Sequence, residues 1–110
     1  MRKSIRKEAD STMELKLILK NFLNGSGKLT LYPAKRKMKI YALFYLAEKF
    51  EPERDYTEWE INDLLLDWHT FADPATLRRE LYNRRFLDRS LDGKVYRLAQ
   101  VQPKPEDFGL

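Results

Sequence analysis

One sequence feature restricts the possible folds of this chain more than any other. It is a glycine-containing turn that follows a largely helical pattern. The dipeptide Asp92-Gly93 separates two short apolar runs, residues 86–91 and 94–98. Asp-Gly is a strong signal for a two-residue hairpin turn, because such turns need positive φ angles. The sequence therefore predicts that residues 86–98 form an antiparallel hairpin near the end of the chain.

The middle of the chain predicts two successive amphipathic helices. Residues 34–50 carry apolar side chains at helical spacing, and Pro52 ends this pattern because proline disfavours helix in the residue before it. Residues 57–68 open with Thr57-Glu58-Trp59-Glu60, a capping box in which the threonine and the second glutamate bond each other's backbone. The sequence therefore places the start of the second helix at Thr57.

A third helix follows almost at once, over residues 74–85. Asp73 is a favoured N-cap residue, and Pro74 suits the first helical position. The short connection of residues 69–73 makes residues 57–68 and 74–85 a helix-turn-helix pair. With the hairpin behind it, this pair predicts an α+β fold that is mainly helical, a winged helix-turn-helix with an extra N-terminal helix.

The chain divides into three segments. Residues 1–24 are expected to form a helical extension, residues 25–98 the winged-helix domain, and residues 99–110 a tail that docking partly orders. In the extension, Leu15, Ile18, Leu19 and Phe22 share one helical stripe. Residues 28–32 alternate polar and apolar side chains and predict a short strand, available as a third strand beside the hairpin.

Composition excludes several classes of protein. The chain has 110 residues and no cysteine, so it holds no disulfide and no thiolate metal site. The N-terminal residues 1–8 are charged with no apolar run behind them, and the longest apolar stretch, residues 40–47, is too short to span a bilayer. We therefore expect a cytoplasmic protein with no membrane partner.

The sequence does not predict an enzyme. His69 is the single histidine, and nothing marks a serine as its partner in a nucleophilic site. Its expected role is to bond helix-end carbonyls or to pack locally, and a metal site of His69 and Asp73 lacks further ligands. There is no glycine-rich phosphate motif. We therefore expect no catalytic residue, no metal and no cofactor.

The third helix and the hairpin carry the candidate contacts to double-stranded DNA. If Leu77 and Leu81 face the core, the opposite side of that helix faces solvent. The residues expected on that side or on its flanks are Thr76, Arg78, Arg79, Tyr82, Asn83 and Arg85. Arginine binds guanine bidentately, and threonine contacts a base or a thymine methyl. On the hairpin, Arg89, Lys94 and Arg97 are expected to hold phosphates.

A different class of function stays open, because an acidic segment lies between the basic ones. Glu58 and Glu60 open the first helix of the pair, where they repel phosphate or neutralise the arginines. Neutralisation favours a protein-interaction or ligand-sensing module that does not bind DNA. Trp59 and Leu66 lie opposite the core stripe and form a candidate partner surface, which either the N-terminal helix or a second copy in a homodimer covers.

A run of cations near the start of helix 34–50 is a candidate anion or phosphate site. Its members are Lys35, Arg36, Lys37 and Lys39. Cations oppose the helix dipole at this end, whereas the free N–H groups of a helix start attract anions. A solvated charge run is the alternative interpretation, and the sequence leaves both open.

Seven short segments of the chain carry a family resemblance. They are residues 33–37, 45–50, 56–62, 68–69, 75–81, 86–89 and 92–97. Between Gly27 and Leu98 the chain resembles the bacterial family catalogued as domain of unknown function 2087. The run Thr-Leu-Arg-Arg-Glu-Leu at residues 76–81 is a fairly specific part of the match. The resemblance implies a winged-helix-like domain that is sometimes appended to transcriptional regulators, and it implies no established biochemical activity.

Overall fold

The structure, a computed structural model, describes residues 12–110, and this part of the chain contains four α-helices. They are α1 (residues 12–18), α2 (Arg36–Ala47), α3 (Glu58–Leu66) and α4 (Pro74–Asn83). Two short 3₁₀ helices, Lys20–Phe22 and Pro105–Phe108, lie after α1 and in the tail. Residues 1–11, the start of the predicted N-terminal extension, lie outside the described residues. None of the described helices is long and apolar enough to cross a membrane.

A small antiparallel sheet completes the architecture. Its strands are β1 (Tyr56–Thr57), β2 (Leu87–Arg89) and β3 (Val95–Leu98), in the spatial order β1-β3-β2. Strand β3 pairs with β2 across the hairpin and with β1 on its other edge. The chain order helix, strand, helix, helix, hairpin, together with this sheet order, is that of a winged-helix-like fold. The predicted α+β, mainly helical fold class is confirmed.

The hairpin turns where the sequence predicts, but over a longer connection. A hydrogen bond from the Ser90 N–H to the Val95 carbonyl (2.8 Å) leaves residues 91–94 in the loop. Within this loop only Gly93 has a positive φ, 75°. The Asp92 carboxylate instead accepts a hydrogen bond from the Ser90 hydroxyl (2.6 Å). The expected two-residue turn is therefore wrong, because the aspartate organises a wider loop through its side chain.

Residues 28–32 do not form the third strand of the sheet, and β1 takes that place. The Leu29 N–H donates to the Trp68 carbonyl (2.8 Å), and the Leu29 carbonyl accepts the Thr70 N–H (2.9 Å). Its backbone is therefore paired with the connection between α3 and α4. The alternating pattern correctly buries Leu29, but alternation does not specify which backbone a strand pairs with.

The bounds of α2 are narrower than predicted. Lys35 serves as N-cap with no side-chain hydrogen bond, so the helix begins at Arg36 rather than at residue 34. At the other end, the N–H groups of Lys49 and Phe50 bond carbonyls only three residues back. This tighter turn ends the α-helix at Ala47.

Helix α4 ends two residues earlier than predicted, at Asn83, in a Schellman motif. The Arg85 N–H bonds the Tyr82 carbonyl (3.1 Å), and the Phe86 N–H bonds the Leu81 carbonyl (2.9 Å). Arg85 has a φ of 70°, the left-handed position that usually holds glycine. Phe86 and Leu81 are both buried and supply the apolar contact that accompanies this motif.

The described part of the N-terminal helix packs on the core and not on the exposed face of α3. Leu19 is fully buried, and Leu15 packs beside it. Trp59 stays 79% exposed and Leu66 44% exposed. The expectation that the helix Leu15 to Phe22 covers these two residues is therefore wrong, because its apolar stripe is used by the core.

The capping box of α3 provides a test of the local sequence signals. Thr57 Oγ1 accepts the Glu60 N–H (3.2 Å), and Glu60 Oε1 accepts the Thr57 N–H (2.9 Å). We predict that Thr57→Ala lowers the free energy of unfolding by about 1 kcal/mol, because a backbone N–H loses its acceptor. Urea denaturation measures this loss. The control is Thr70→Ala, since the Thr70 hydroxyl has no hydrogen bond within residues 12–110, and an equal loss in both variants contradicts the prediction.

Candidate nucleic-acid interface

A buried histidine fixes the start of α4. His69, 3% exposed, lies in the connection between α3 and α4. Its Nε2 accepts the Asp73 N–H (2.9 Å), so Nδ1 carries the proton and donates to the Leu65 carbonyl (2.5 Å). As the sequence predicts, the ring bonds a helix-end carbonyl. It thereby joins the last turn of α3 to the N-cap of α4.

The predicted cap holds the first turn of α4. Asp73 Oδ1 accepts the N–H of the half-buried Thr76 (3.2 Å), and Pro74 takes the first helical position. Hydrogen bonds from the side chain and the backbone of Thr76 hold the pKa of the Asp73 carboxyl below its usual range, and Arg79 lowers it further. The carboxylate is therefore negatively charged at neutral pH. It lies at the positive end of the helix dipole, and this interaction stabilises the helix.

The outward face of α4 has an unpaired arginine at its centre. Leu77 and Leu81 are fully buried, so residue 79 points directly away from the core. Arg79 is exposed and forms no salt bridge within the described residues. Tyr82 and Asn83 are exposed beside it. This placement agrees with the one that the helical spacing predicts.

Arg78 faces α3 instead of solvent. Its Nη1 donates to Asn62 Oδ1 (2.6 Å), and its Nη2 lies 3.8 Å from Glu58 Oε1. The side chain is only 12% exposed. Arg78 therefore links the two helices of the pair and lies on the flank of the exposed face.

The hairpin adds two cations beside α4. The Arg89 guanidinium lies over the Tyr82 ring, 4.6 Å from its centroid, in a cation–π contact. A hydrogen bond with Tyr96 is the largest cause that raises the pKa of the Arg89 guanidinium, and the electrostatic interaction with Tyr82 is the next. Lys94 is exposed in the hairpin loop and has no salt bridge among residues 12–110. The hairpin is thus joined to α4 on the same side as the exposed cations.

Arg97, the third hairpin cation, has an acidic partner. Its Nε and Nη2 lie 2.8 and 2.7 Å from Asp55 Oδ1. Both side chains are exposed. The pair connects β3 to the segment that precedes β1.

Two of the four cations at the start of α2 contact other parts of the fold. Arg36 Nη1 donates to a backbone carbonyl of the tail (2.9 Å), and Lys39 Nζ lies 5.6 Å from the centroid of the Tyr32 ring. Lys35 and Lys37 are exposed. Two of the four cations in the predicted anion site therefore have contacts within the protein.

A cleft of about 440 Å³ that the sequence did not predict lies between the C-terminal end of α4 and the tail. Arg84 and Arg85 lie on one side, and Val101 and Phe108 lie on the other. No local pattern predicts such a cleft, because its two walls come from separate parts of the chain.

The lowered pKa of Asp73 predicts a pH-dependent contribution to stability. A carboxyl whose pKa is depressed by folding stabilises the protein above its unfolded pKa, about 3.9, and this effect is lost as the pH falls through the folded pKa. We predict that the gap in Tm between the wild type and Asp73→Ala is constant above about pH 5 and narrows below about pH 4. Thermal denaturation followed by circular dichroism measures the gap. Asp88→Ala, which removes an exposed carboxylate outside any cap, is the control, and a gap that is independent of pH contradicts the prediction.

A family model covers the domain that contains this interface. The model described as uncharacterized protein conserved in bacteria (DUF2087) matches residues 28–98, which is more than half of the chain. The match runs from the segment that contains Leu29 through α2, α3 and α4 to the end of the hairpin. No curated protein and no solved structure matches the chain. The resemblance noted in the sequence is therefore confirmed at the level of the family, and the chain belongs to the bacterial family DUF2087.

Proposed function

We propose that this protein is a winged-helix domain of a transcriptional regulator and binds double-stranded DNA. Helix α4 enters the major groove, and the hairpin lies against the phosphates. One observation carries the proposal. Arg79, Arg89 and Lys94 are exposed on α4 and the adjoining hairpin, and none of them forms a salt bridge within the described residues. In a helix-turn-helix, this second helix is the one that contacts base edges.

Arg79 is assigned to base recognition. Its guanidinium lowers the pKa of Asp73 but forms no salt bridge within residues 12–110, so its fork of donors is free to bind guanine O6 and N7. Thr76 precedes it by three residues and Asn83 follows it by four, which puts both on the same side of the helix. A threonine contacts a base or a thymine methyl, and an asparagine binds adenine.

The hairpin cations are assigned to phosphate contacts. Stacking on Tyr82 orients Arg89 without neutralising its charge. Lys94 lies in the loop, where a wing approaches the backbone. The pair of Arg97 with Asp55 is exposed, and exposed pairs contribute only about 0–1 kcal/mol, so a phosphate can compete for this arginine.

The acidic start of α3 opposes DNA less than its sequence suggests. Glu58 lies 3.8 Å from Arg78, and Glu60 lies 3.5 Å from Arg54. Each carboxylate is therefore paired with a cation of the protein. Opposite charges at this distance reduce the field that a phosphate experiences.

A protein-interaction module is the second candidate function, and the exposed face of α3 favours it. Trp59 and Leu66 lie seven residues apart on one side of this helix, and both are exposed. Tryptophan is enriched among the residues that dominate binding energy at protein interfaces. In this function no DNA is bound. Arg78 and Arg97 instead stabilise the fold by pairing with Glu58 and Asp55, respectively.

We predict that Arg79→Ala relaxes the sequence preference at one base position, by about 1–3 kcal/mol, because a bidentate contact is lost. Selection from a random-sequence DNA library at low salt, followed by anisotropy titrations, measures this preference. Lys16→Ala on α1 is the control and should leave the preference unchanged. If the protein does not bind DNA at high micromolar concentration, the DNA function is refuted and the protein-interaction module remains.

A different signature is expected for Lys94→Ala. Loss of a phosphate contact weakens binding to all sequences about equally, and the slope of log affinity against log salt becomes shallower by about one unit. Titrations of two unrelated duplexes at several salt concentrations provide this slope. A loss confined to one duplex, or the same change in Lys16→Ala, is incompatible with a phosphate role for Lys94.

A further inference from the structure

We infer that the cleft beneath the C-terminal tail binds a small organic acid, a carboxylate attached to an aromatic or branched apolar body. The cleft lies between the end of α4 and the tail residues that follow the hairpin. Its volume of about 440 Å³ falls within the range of small-molecule sites. Ligand binding is independent of the proposed function, whereas its effect on DNA affinity rests on that function.

The walls of the cleft are held in place by the fold. Gln102 Nε2 donates to the carbonyls of Phe86 (3.0 Å) and Ala99 (2.8 Å). The Phe108 ring stacks on Phe86, with ring centroids 6.0 Å apart and planes 12° apart. Arg36 holds the Phe108 carbonyl from α2 (2.9 Å). The tail is therefore fixed at both ends of the cleft, and a ligand meets a preformed site.

Two adjacent arginines line the cleft. Arg85 is exposed and has no salt bridge in the described part of the chain. The Nε of Arg84 is buried without a hydrogen-bond acceptor. This Nε forms a salt bridge with Glu80, whose Oε1 lies 3.5 Å away and also accepts the Tyr32 hydroxyl (2.8 Å). Planar guanidinium groups with unused donors bind carboxylates in a bidentate manner.

The Schellman motif that ends α4 holds the backbone of Arg85 in the left-handed conformation. Its φ of 70° is a conformation in which glycine avoids a steric penalty, yet the chain has an arginine there. The side chain of Arg85 also lines the cleft.

The rest of the lining selects for an apolar body. Val101, 85% exposed, and Pro103 line the cleft together with the Phe108 ring. The only acid in the lining is Asp107, whose Oδ2 accepts the Lys104 N–H (2.8 Å). Because Arg84 is paired with Glu80, the positive charge available to a ligand is that of Arg85, which has no salt bridge within the described residues. An inorganic anion uses only the charge, a neutral aromatic uses only the apolar wall, and an organic carboxylate uses both.

The position of the cleft couples it to the proposed DNA face. Asn83 lines the cleft and also lies on the exposed side of α4. Phe86, which directly precedes β2, receives both the Gln102 side chain and the Phe108 ring. A bound acid therefore bridges α4, the base of the hairpin and the tail. Any difference in its affinity for the DNA-bound and free conformations changes DNA affinity by the same factor.

Titration of the ¹⁵N-labelled full chain with benzoate, followed by amide chemical shifts, tests the site without DNA. Benzamide and inorganic phosphate serve as the neutral and the purely anionic probes. We expect benzoate to shift the amides of Arg84, Arg85 and Gln102, with both other probes at least about tenfold weaker. Arg85→Gln should weaken benzoate about tenfold, because a charge-assisted hydrogen bond is lost. Arg54→Gln removes the same charge elsewhere and should leave the affinity unchanged.

The inference is overturned if benzamide or inorganic phosphate shifts the amides as much as benzoate does. It is also overturned if Arg85→Gln leaves the benzoate affinity unchanged. The same spectrum of each variant shows whether it is folded. DNA titrations separate the two proposals. Benzoate binding in a protein that binds no DNA supports the site and refutes the proposed function, whereas DNA binding without any benzoate shift refutes the site alone.

Discussion

The hydrogen bonds of His69 join the end of α3 to the start of α4, and the placement of α4 against the rest of the molecule depends on this connection. The buried ring uses both nitrogens, one on the Leu65 carbonyl and one on the Asp73 N–H. Leu29 bonds the same connection from the other side, through the backbone of residues 68 and 70. A buried polar group that loses its partner costs about 1–3 kcal/mol, so the connection has few alternatives to this geometry.

Helix α4 carries residues of each candidate surface. Its outward side presents Arg79, and its Tyr82 holds the hairpin through Arg89. Its C-terminal end forms one wall of the cleft, and Phe86 just beyond it receives the ring of Phe108. A single rigid helix therefore connects the proposed DNA face, the hairpin and the proposed acid site, which is the arrangement that a ligand-controlled DNA-binding domain requires.

Two arginines that are adjacent in the sequence have opposite roles, and helix geometry explains the difference. Successive residues of a helix are rotated by about 100°, so a change of one position moves a side chain from the flank to the outward face. Arg78 reaches Asn62 and Glu58 on α3, whereas Arg79 is exposed. The spacing of the buried leucines predicted that Arg79 faces outward and that Arg78 lies on the flank. It was not sufficient to predict the partner of Arg78, because that partner lies on another helix.

The sequence by itself determined the starts of α3 and α4 and the place of the hairpin, since each of these signals acts within a few residues. Thr57 and Asp73 cap their helices through their own first turns, and Gly93 supplies the positive φ of the loop. Only the tertiary structure decided that Leu29 pairs with the α3–α4 connection, that β1 completes the sheet, and that the tail closes a cleft over the end of α4. These arrangements join distant parts of the chain, and the apolar pattern of a segment specifies that it is buried without specifying which partner buries it.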